Sequence, residues 1–520
     1  MPRAPLLSLR RSGAELSTRS GTRSGVLSLA LALVASPAVA QVHYHADGQP
    51  WRQRAGSGPD AEVPGWYYHL GRSGLRVELV ESAPTHLQVR HVFADAPAHG
   101  LVQVGDAIVG AAGRPFETPH RNGYGMEVFG PEGPLLDFAN ALEECQGEAG
   151  SGQLALQLLR NGKPVAVTLA IGKEFGTFGS KFPADCPKSE QLLQALLTRL
   201  VGWQREDGSF GDPIRDTFAP LALMAGTTPE QRAAVERAVR FHAKTTQASD
   251  RDSLVNWRYM AAAIVMSEYH LASGAKWVVP ELEEVRDFLL STQYVSLEQV
   301  NPQAKVSHPD SWPKDAKQQH GGWGHNPGFE GYGPIAMITG QGALAFALMA
   351  RCGVAVQRER HAAALDFLAR GTGKNGYLWY ADSVAGDDDW ADMGRTGAAG
   401  IACHLAPFDT AKHRAQALRH AAVIGAHPES FPDTHGSPLM GMGYAALAAN
   451  LQPASWRRLM DANRWWFTLS QCSDGSFYYQ PNRDNAGYDG EAREAASAVT
   501  AFILSIPRRH LVVTGRDGGR

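Results

Sequence analysis

Between residues 188 and 506, twelve stretches carry apolar residues at helical spacing: 188–203, 214–225, 229–246, 252–274, 279–297, 334–353, 355–370, 392–406, 410–426, 438–451, 453–470 and 491–506. Twelve stretches make six pairs. Between some of them lie loops of shared chemistry, rich in Gly and aromatic residues: QREDGSFG (204–211), QHGGWGHNPGFEGYG (319–333), GKNGYLWYADS (373–383), DTHGSPLMGMGY (433–444) and QCSDGSFYYQP (471–481). One helical pair cannot bury its apolar face alone, so the pattern predicts stacked pairs in a closed or solenoidal array with the loops gathered on one face.

Residues 1–186 read differently. Residues 1–40 place five arginines ahead of the run GVLSLALALVASPAVA, the order of a secretory signal with cleavage after Ala40. The apolar run is too short to span a bilayer, for which about 20 residues are needed. The expectation is an exported chain, periplasmic or extracellular, with no stable membrane span after cleavage. Residues 41–63 read as a flexible lead-in. A net charge of -3 offers no basic patch, so nucleic acid is not an expected partner. Five cysteines without C-x-x-C or Cys/His spacing argue against zinc, and no cofactor motif is present. Cys145 and Cys186 flank the boundary between the two halves, where a disulfide could tie them.

Residues 64–173 read as β-rich. LRVELVE, HLQVRHVF and GDAIVGAAGRPF are strand-like, PLLDFANALEEC (134–145) is helical, and QLALQLLRNGKPVAVTLAI is a hairpin turning at Asn161-Gly162. This order resembles a PDZ domain: HLGRSGLRVEL (69–79) is similar to its carboxylate-binding loop and strand, and ADAPAHGLVQVGDAIVGAAGRPF (94–116) to its Gly-Asp segment. Residues 117–133 depart from the pattern as a Gly/Pro-rich insertion. The resemblance implies capture of a peptide or protein C-terminus by β-augmentation, with Leu70, Gly71 and Gly74 as the nest. The alternative is a loop that only closes the domain.

After a linker at 174–186, residues 187–508 resemble the α/α-toroid of terpenoid cyclases, protein prenyltransferases and polysaccharide-active proteins, followed by a tail at 509–520. The resemblance rests on Q-x-x-D-G-S-F at Gln204–Phe210 and Gln471–Phe477, on GGWGHNPG (321–328) and on GRTGAAGIACHL (394–405). The fold expected is thus multidomain, a small β-rich PDZ-like domain plus an all-α toroid of about six hairpins. Neither activity carries over: Gly400-Ile401 precedes Cys403 where prenyltransferases carry an Asp, and Gly386-Asp387-Asp388-Asp389 lacks one carboxylate of the cyclase acid motif. The combination of signal, PDZ-like domain and toroid also resembles an exported bacterial family without an established activity.

Candidate chemistry sits in the loops. His320, His325 and Tyr332 precede one helix, Asp387, Asp388, Asp389 and Arg395 another, His435 a third and Tyr488 a fourth. Crowded carboxylates can serve as general acid or base, cap the next helix or hold a cation. Converging loops would make an aromatic cleft with His, Tyr, Arg and Asp, suited to a polysaccharide. Two readings stand: a polysaccharide lyase or hydrolase with a PDZ-like targeting module, or a non-catalytic scaffold of the cell envelope that binds through its PDZ-like domain.

Overall fold

In the computed structural model the sheet and the helices form one compact unit. The residues described are 67–80, 82–120, 132–246, 254–307, 309, 312–329, 331, 333–386, 389–391, 393–434, 438–478, 480 and 492–517. The signal and lead-in lie outside them, as does most of the 117–133 insertion.

The sheet unit holds seven strands and one helix. Strands β1 (Tyr67–His69), β2 (Leu75–Glu78), β3 (Leu87–Val92), β4 (Ala107–Ala111), β6 (Gln153–Arg160) and β7 (Lys163–Ala170) run antiparallel in the order β1-β2-β3-β4-β6-β7, with β5 (Arg114–Pro115) beside β4. Alternation explains the buried face: Leu154, Leu156 and Leu158 of β6 point inward and meet Leu135, Phe138 and Leu142 of α1 (Pro134–Gln146). Asn161 and Gly162 both have positive φ, the type I′ geometry their order predicts. Asp106 of the Gly-Asp pair accepts a forked hydrogen bond from Arg160, at 2.9 and 2.7 Å, which pulls its carboxyl below the usual range.

The helical unit is an α/α-toroid arrangement. Its inner helices are α3 (Pro213–Leu223), α5 (Val255–Ser273), α8 (Ala336–Arg351), α10 (Met393–Leu405), α12 (Pro438–Ala449) and α15 (Ala492–Ser505). Each packs on the next and α15 returns to α3, which closes the ring. Helices α2 (Pro187–Trp203), α4 (Pro229–Thr245), α6 (Val278–Thr292), α9 (Arg358–Arg370), α11 (Thr410–Ala426) and α13 (Pro453–Ala462) lie outside, with α7 (Pro302–Ser307) on an excursion after α6.

Composition separates the two layers. Helix α9 buries one stripe, His361, Ala364, Leu365 and Leu368, whereas α8 is buried nearly all round. Close packing of the inner ring depends on small residues: a Cβ on Gly397 would stand 2.4 Å from the Tyr444 carbonyl carbon, and one on Gly340 2.9 Å from the Ala398 methyl. The stretch 453–470 departs from expectation. It breaks at Asn463, whose amide donates to the Pro428 and Leu459 carbonyls, and resumes as α14 (Arg464–Ser470). Residues 511–513, in the stretch read as a C-terminal tail, are buried, and the Glu268 carboxylate accepts the Val512 and Val513 N–H groups at 3.0 and 2.8 Å.

Candidate functional site

Four of the loops ahead of the inner helices share one construction. Asp207 Oδ1 accepts from Ser209 N–H, Asn375 Oδ1 from Tyr377 N–H and Asp474 Oδ1 from Ser476 N–H, at 2.9, 3.0 and 3.0 Å. The glycine that follows has positive φ, 94° at Gly208, 93° at Gly376 and 79° at Gly475, and Gly321 matches them at 91°. Added Cβ atoms on Gly208, Gly321 and Gly376 would lie 2.5, 2.2 and 2.8 Å from carbonyl oxygens of the next outer helix. Each loop then donates an N–H to the inner helix it enters: Phe210 to Asp216, Trp323 to Thr339, Leu378 to Thr396 and Phe477 to Ser497. The Gln204–Phe210 and Gln471–Phe477 motifs are therefore architectural, and His320 occupies the place of the turn Asp.

This construction gathers inner-helix N-termini at one mouth of the ring. There Trp257 on α5 donates its indole N–H to His325 Nδ1 at 2.8 Å, with the rings 5.8 Å apart. Accepting at Nδ1 puts the proton of the neutral imidazole on Nε2. Asn256 ties the same loop to α5, donating to the Gly324 and Asn326 carbonyls. The Ala336 N–H, opening α8, donates to the Tyr380 carbonyl at 2.8 Å. Arg395 on α10 lies 5.6 Å from both the Tyr377 and Tyr380 ring centroids, donates to the Leu378 carbonyl at 2.9 Å, and bonds the Tyr377 hydroxyl. Tyr380 is 37% exposed. His325, Tyr380 and Arg395 thus form one arc.

Other candidates fall elsewhere. His320 faces α9, where burial and the nearby Arg370 and Arg360 lower its pKa, and its carbonyl accepts from Arg370. Asp389 is exposed, its carbonyl held by Asn375. Tyr332, Asp387, Asp388, His435 and Tyr488 lie outside the described residues. Cys145 and Cys186, between which a disulfide was possible, are unbridged and buried: the Cys145 thiol donates to the Leu142 carbonyl and Cys186 Sγ accepts from Gly179 N–H. Among the described residues no cluster with metal-ligand composition occurs, and no helix is long and apolar enough to cross a membrane.

The expected carboxylate nest is also different. Leu70, Gly71 and Gly74 are buried. Leu70 N–H donates to Leu75 O and Gly74 N–H to Gly71 O, while a Cβ on Gly71 would lie 2.6 Å from the Thr468 carbonyl of α14. Strand β2 has β1 on one side and β3 on the other, so no edge of β2 is open to a peptide.

Sequence reasoning missed the ion pairs opposite this arc. Arg215 on α3 is 2% exposed, donates to its helix cap Asp212 at 2.7 Å and pairs with Glu494 on α15. It precedes the loop-bonding residue Asp216 as Arg395 precedes Thr396, a correspondence visible only once those two acceptors are aligned. Burial pushes the Asp216 carboxyl up to about 6, against the pull of the Phe210 and Gly211 N–H groups. On the rim Trp390 stacks on His427 with centroids 4.1 Å apart, and His427 Nδ1 lies 3.5 Å from Glu429.

Six helical hairpins closed into a ring, joined to a seven-stranded sheet unit, define the class as a toroid protein with one loop-built mouth. The chain belongs to a family whose model, described as a domain of unknown function (DUF6288), matches residues 189–515. No curated protein matches it. Among solved structures it is similar to a GH76 α-mannanase of Bacteroides thetaiotaomicron, at 12% identity and TM-score 0.44, covering 62% of this chain and 96% of that one. It is also similar to an α-1,6-mannanase of Salegentibacter, at 10% identity and TM-score 0.42, covering 61% and 98%. A cellobiose 2-epimerase of Spirochaeta thermophila matches at 12% identity and TM-score 0.40, covering 62% and 98%. Likeness this distant carries no argument about activity.

Proposed function

We propose that the toroid mouth is the binding cleft of an exported protein for an extended sugar chain. The observation that carries the reading is the arc of Trp257, His325, Tyr380 and Arg395, in which Trp257 holds His325 and the buried Arg395 guanidinium lies 5.6 Å from the Tyr380 ring. Aromatic faces suit the apolar faces of sugar rings. Peptide capture at Leu70–Gly74 is not part of the reading, because that loop is buried against α14.

The test is a thermal-shift screen of the whole chain against neutral and acidic polysaccharides. A glycan that stabilises the protein should lose its shift in Trp257→Ala and Arg395→Lys, since lysine keeps the charge but not the planar fork. A shift retained in both variants would place binding elsewhere.

A further inference from the structure

Strand β1 has its inner edge on β2, and its outer edge is also used. His69 N–H donates to Gln480 Oε1 and Gln480 Nε2–H donates to the His69 carbonyl, each at 2.9 Å, so one side-chain amide pairs with the strand as a neighbouring backbone would. The His69 imidazole donates from Nδ1 to the Leu469 carbonyl at 2.8 Å and its ring lies 6.1 Å from that of Tyr478. The Arg76 guanidinium sits 4.1 Å from the Tyr478 centroid. These residues are buried, and burial without water strengthens such polar contacts while making their loss costly. Leu469, Tyr478 and Gln480 bracket the loop that enters α15.

That loop leads to the mouth in short steps. Phe477 N–H donates to Ser497 Oγ at 2.9 Å, and Arg493 on α15 donates to Ser476 Oγ at 2.8 Å and pairs with Asp474. The next residue, Glu494, pairs with Arg215 on α3. We infer that the sheet unit is a clasp: through His69 it grips segment Leu469–Gln480 and thereby sets the position of the Glu494–Arg215 pair at the mouth. Its partner is this chain's own loop, whose Gln480 side-chain amide pairs with the backbone of the β1 edge. Gln480 is a positioning residue in this scheme. The inference does not depend on which ligand the mouth takes.

Hydrogen exchange on the whole chain tests it. Gln480→Met keeps the length of the side chain and removes both amide bonds. Exchange should then rise at least roughly tenfold across Leu469–Phe477 and at Arg215–Thr217 of α3, with the loops at 319–329 and 373–380 unchanged. A purely local role would leave α3 untouched, and a rise limited to His69, or a uniform rise, overturns the clasp. A second measurement covers failure of the variant to fold. In the unmodified chain the His69 and Phe477 amides should open together, with protection within about threefold of each other. A His69 amide that opens more than about tenfold faster than that of Phe477 contradicts the inference.

Discussion

Gly208, Gly321 and Gly376 each combine a positive φ with a carbonyl oxygen of the next outer helix where a Cβ would stand. Neither demand can be relaxed alone, since tilting the loop away from the carbonyl breaks the N–H bond it makes to its inner helix. Gly321→Ala should lower the unfolding free energy by about 3 kcal/mol, read from urea denaturation. Asp216 holds the place where Thr339, Thr396 and Ser497 offer hydroxyls, and burial raises its carboxyl from 3.8 to about 6. Its ionised form is worse off folded than unfolded. The contribution of Asp216 is therefore most favourable below about pH 3.8 and is lost as pH rises through about 6. Asp216→Asn keeps an acceptor for Phe210 and removes the charge. It should gain on the order of 1–2 kcal/mol at pH 7.5 and little at pH 4, measured as the difference between two denaturation curves.

Among the helices, the close contacts of α8, α10 and α12 set the diameter of the ring. Gly397→Ala should cost on the order of 2–3 kcal/mol, because the methyl group meets the Tyr444 backbone, which cannot rotate away. Gly202→Ala, near the end of α2 with nothing within 4 Å, should be neutral or stabilising by up to about 1 kcal/mol. Equal gains in the two variants would argue that helix propensity, and not ring packing, governs both. Helix existence was legible in the sequence because periodicity is local: the stretch expected at 229–246 is α4, and that at 410–426 is α11. The common loop was only half legible. His320 and Asn375 replace the turn Asp and Trp323 and Leu378 replace Phe, so the shared geometry survives while the motif does not. Of the candidate site, Arg395 and His325 were legible as polar groups ahead of inner helices. The Glu494–Arg215 pair and the sealing of Gly71 were not, because their partners lie hundreds of residues away and no local pattern records them.

At the scale of the molecule, neutral buried histidines tie outer helix α4 to inner helix α3, α11 to the loop ahead of α10, and the C-terminal segment to α3. His242 donates to the Asp216 carbonyl, His420 to that of Gly376 and His510 to that of Leu221, and burial lowers each to about 4. Burial also lowers His361 to about 4 and His69, in the clasp, to about 3. These pKa values lie below the unfolded 6.5, so the stability these groups confer is present above pH 6.5 and is lost as pH falls toward 4. Each histidine contributes a slope on the order of 1 kcal/mol per pH unit in that window. A thermal midpoint flat between pH 7 and 8 and falling steeply below about 6 is the expected profile. The mouth joins the inner-helix N-termini, the aromatic arc and the clasped loop, and the account stands or falls on its being a binding site. The most direct measurement is a binding isotherm of the whole chain with the polysaccharide that stabilises it best, repeated on Tyr380→Ala. A loss of affinity of about tenfold or more, roughly 1.4 kcal/mol, with the thermal midpoint unchanged is the predicted result. Unchanged affinity in Tyr380→Ala, or no polysaccharide bound by the unmodified chain, would contradict it.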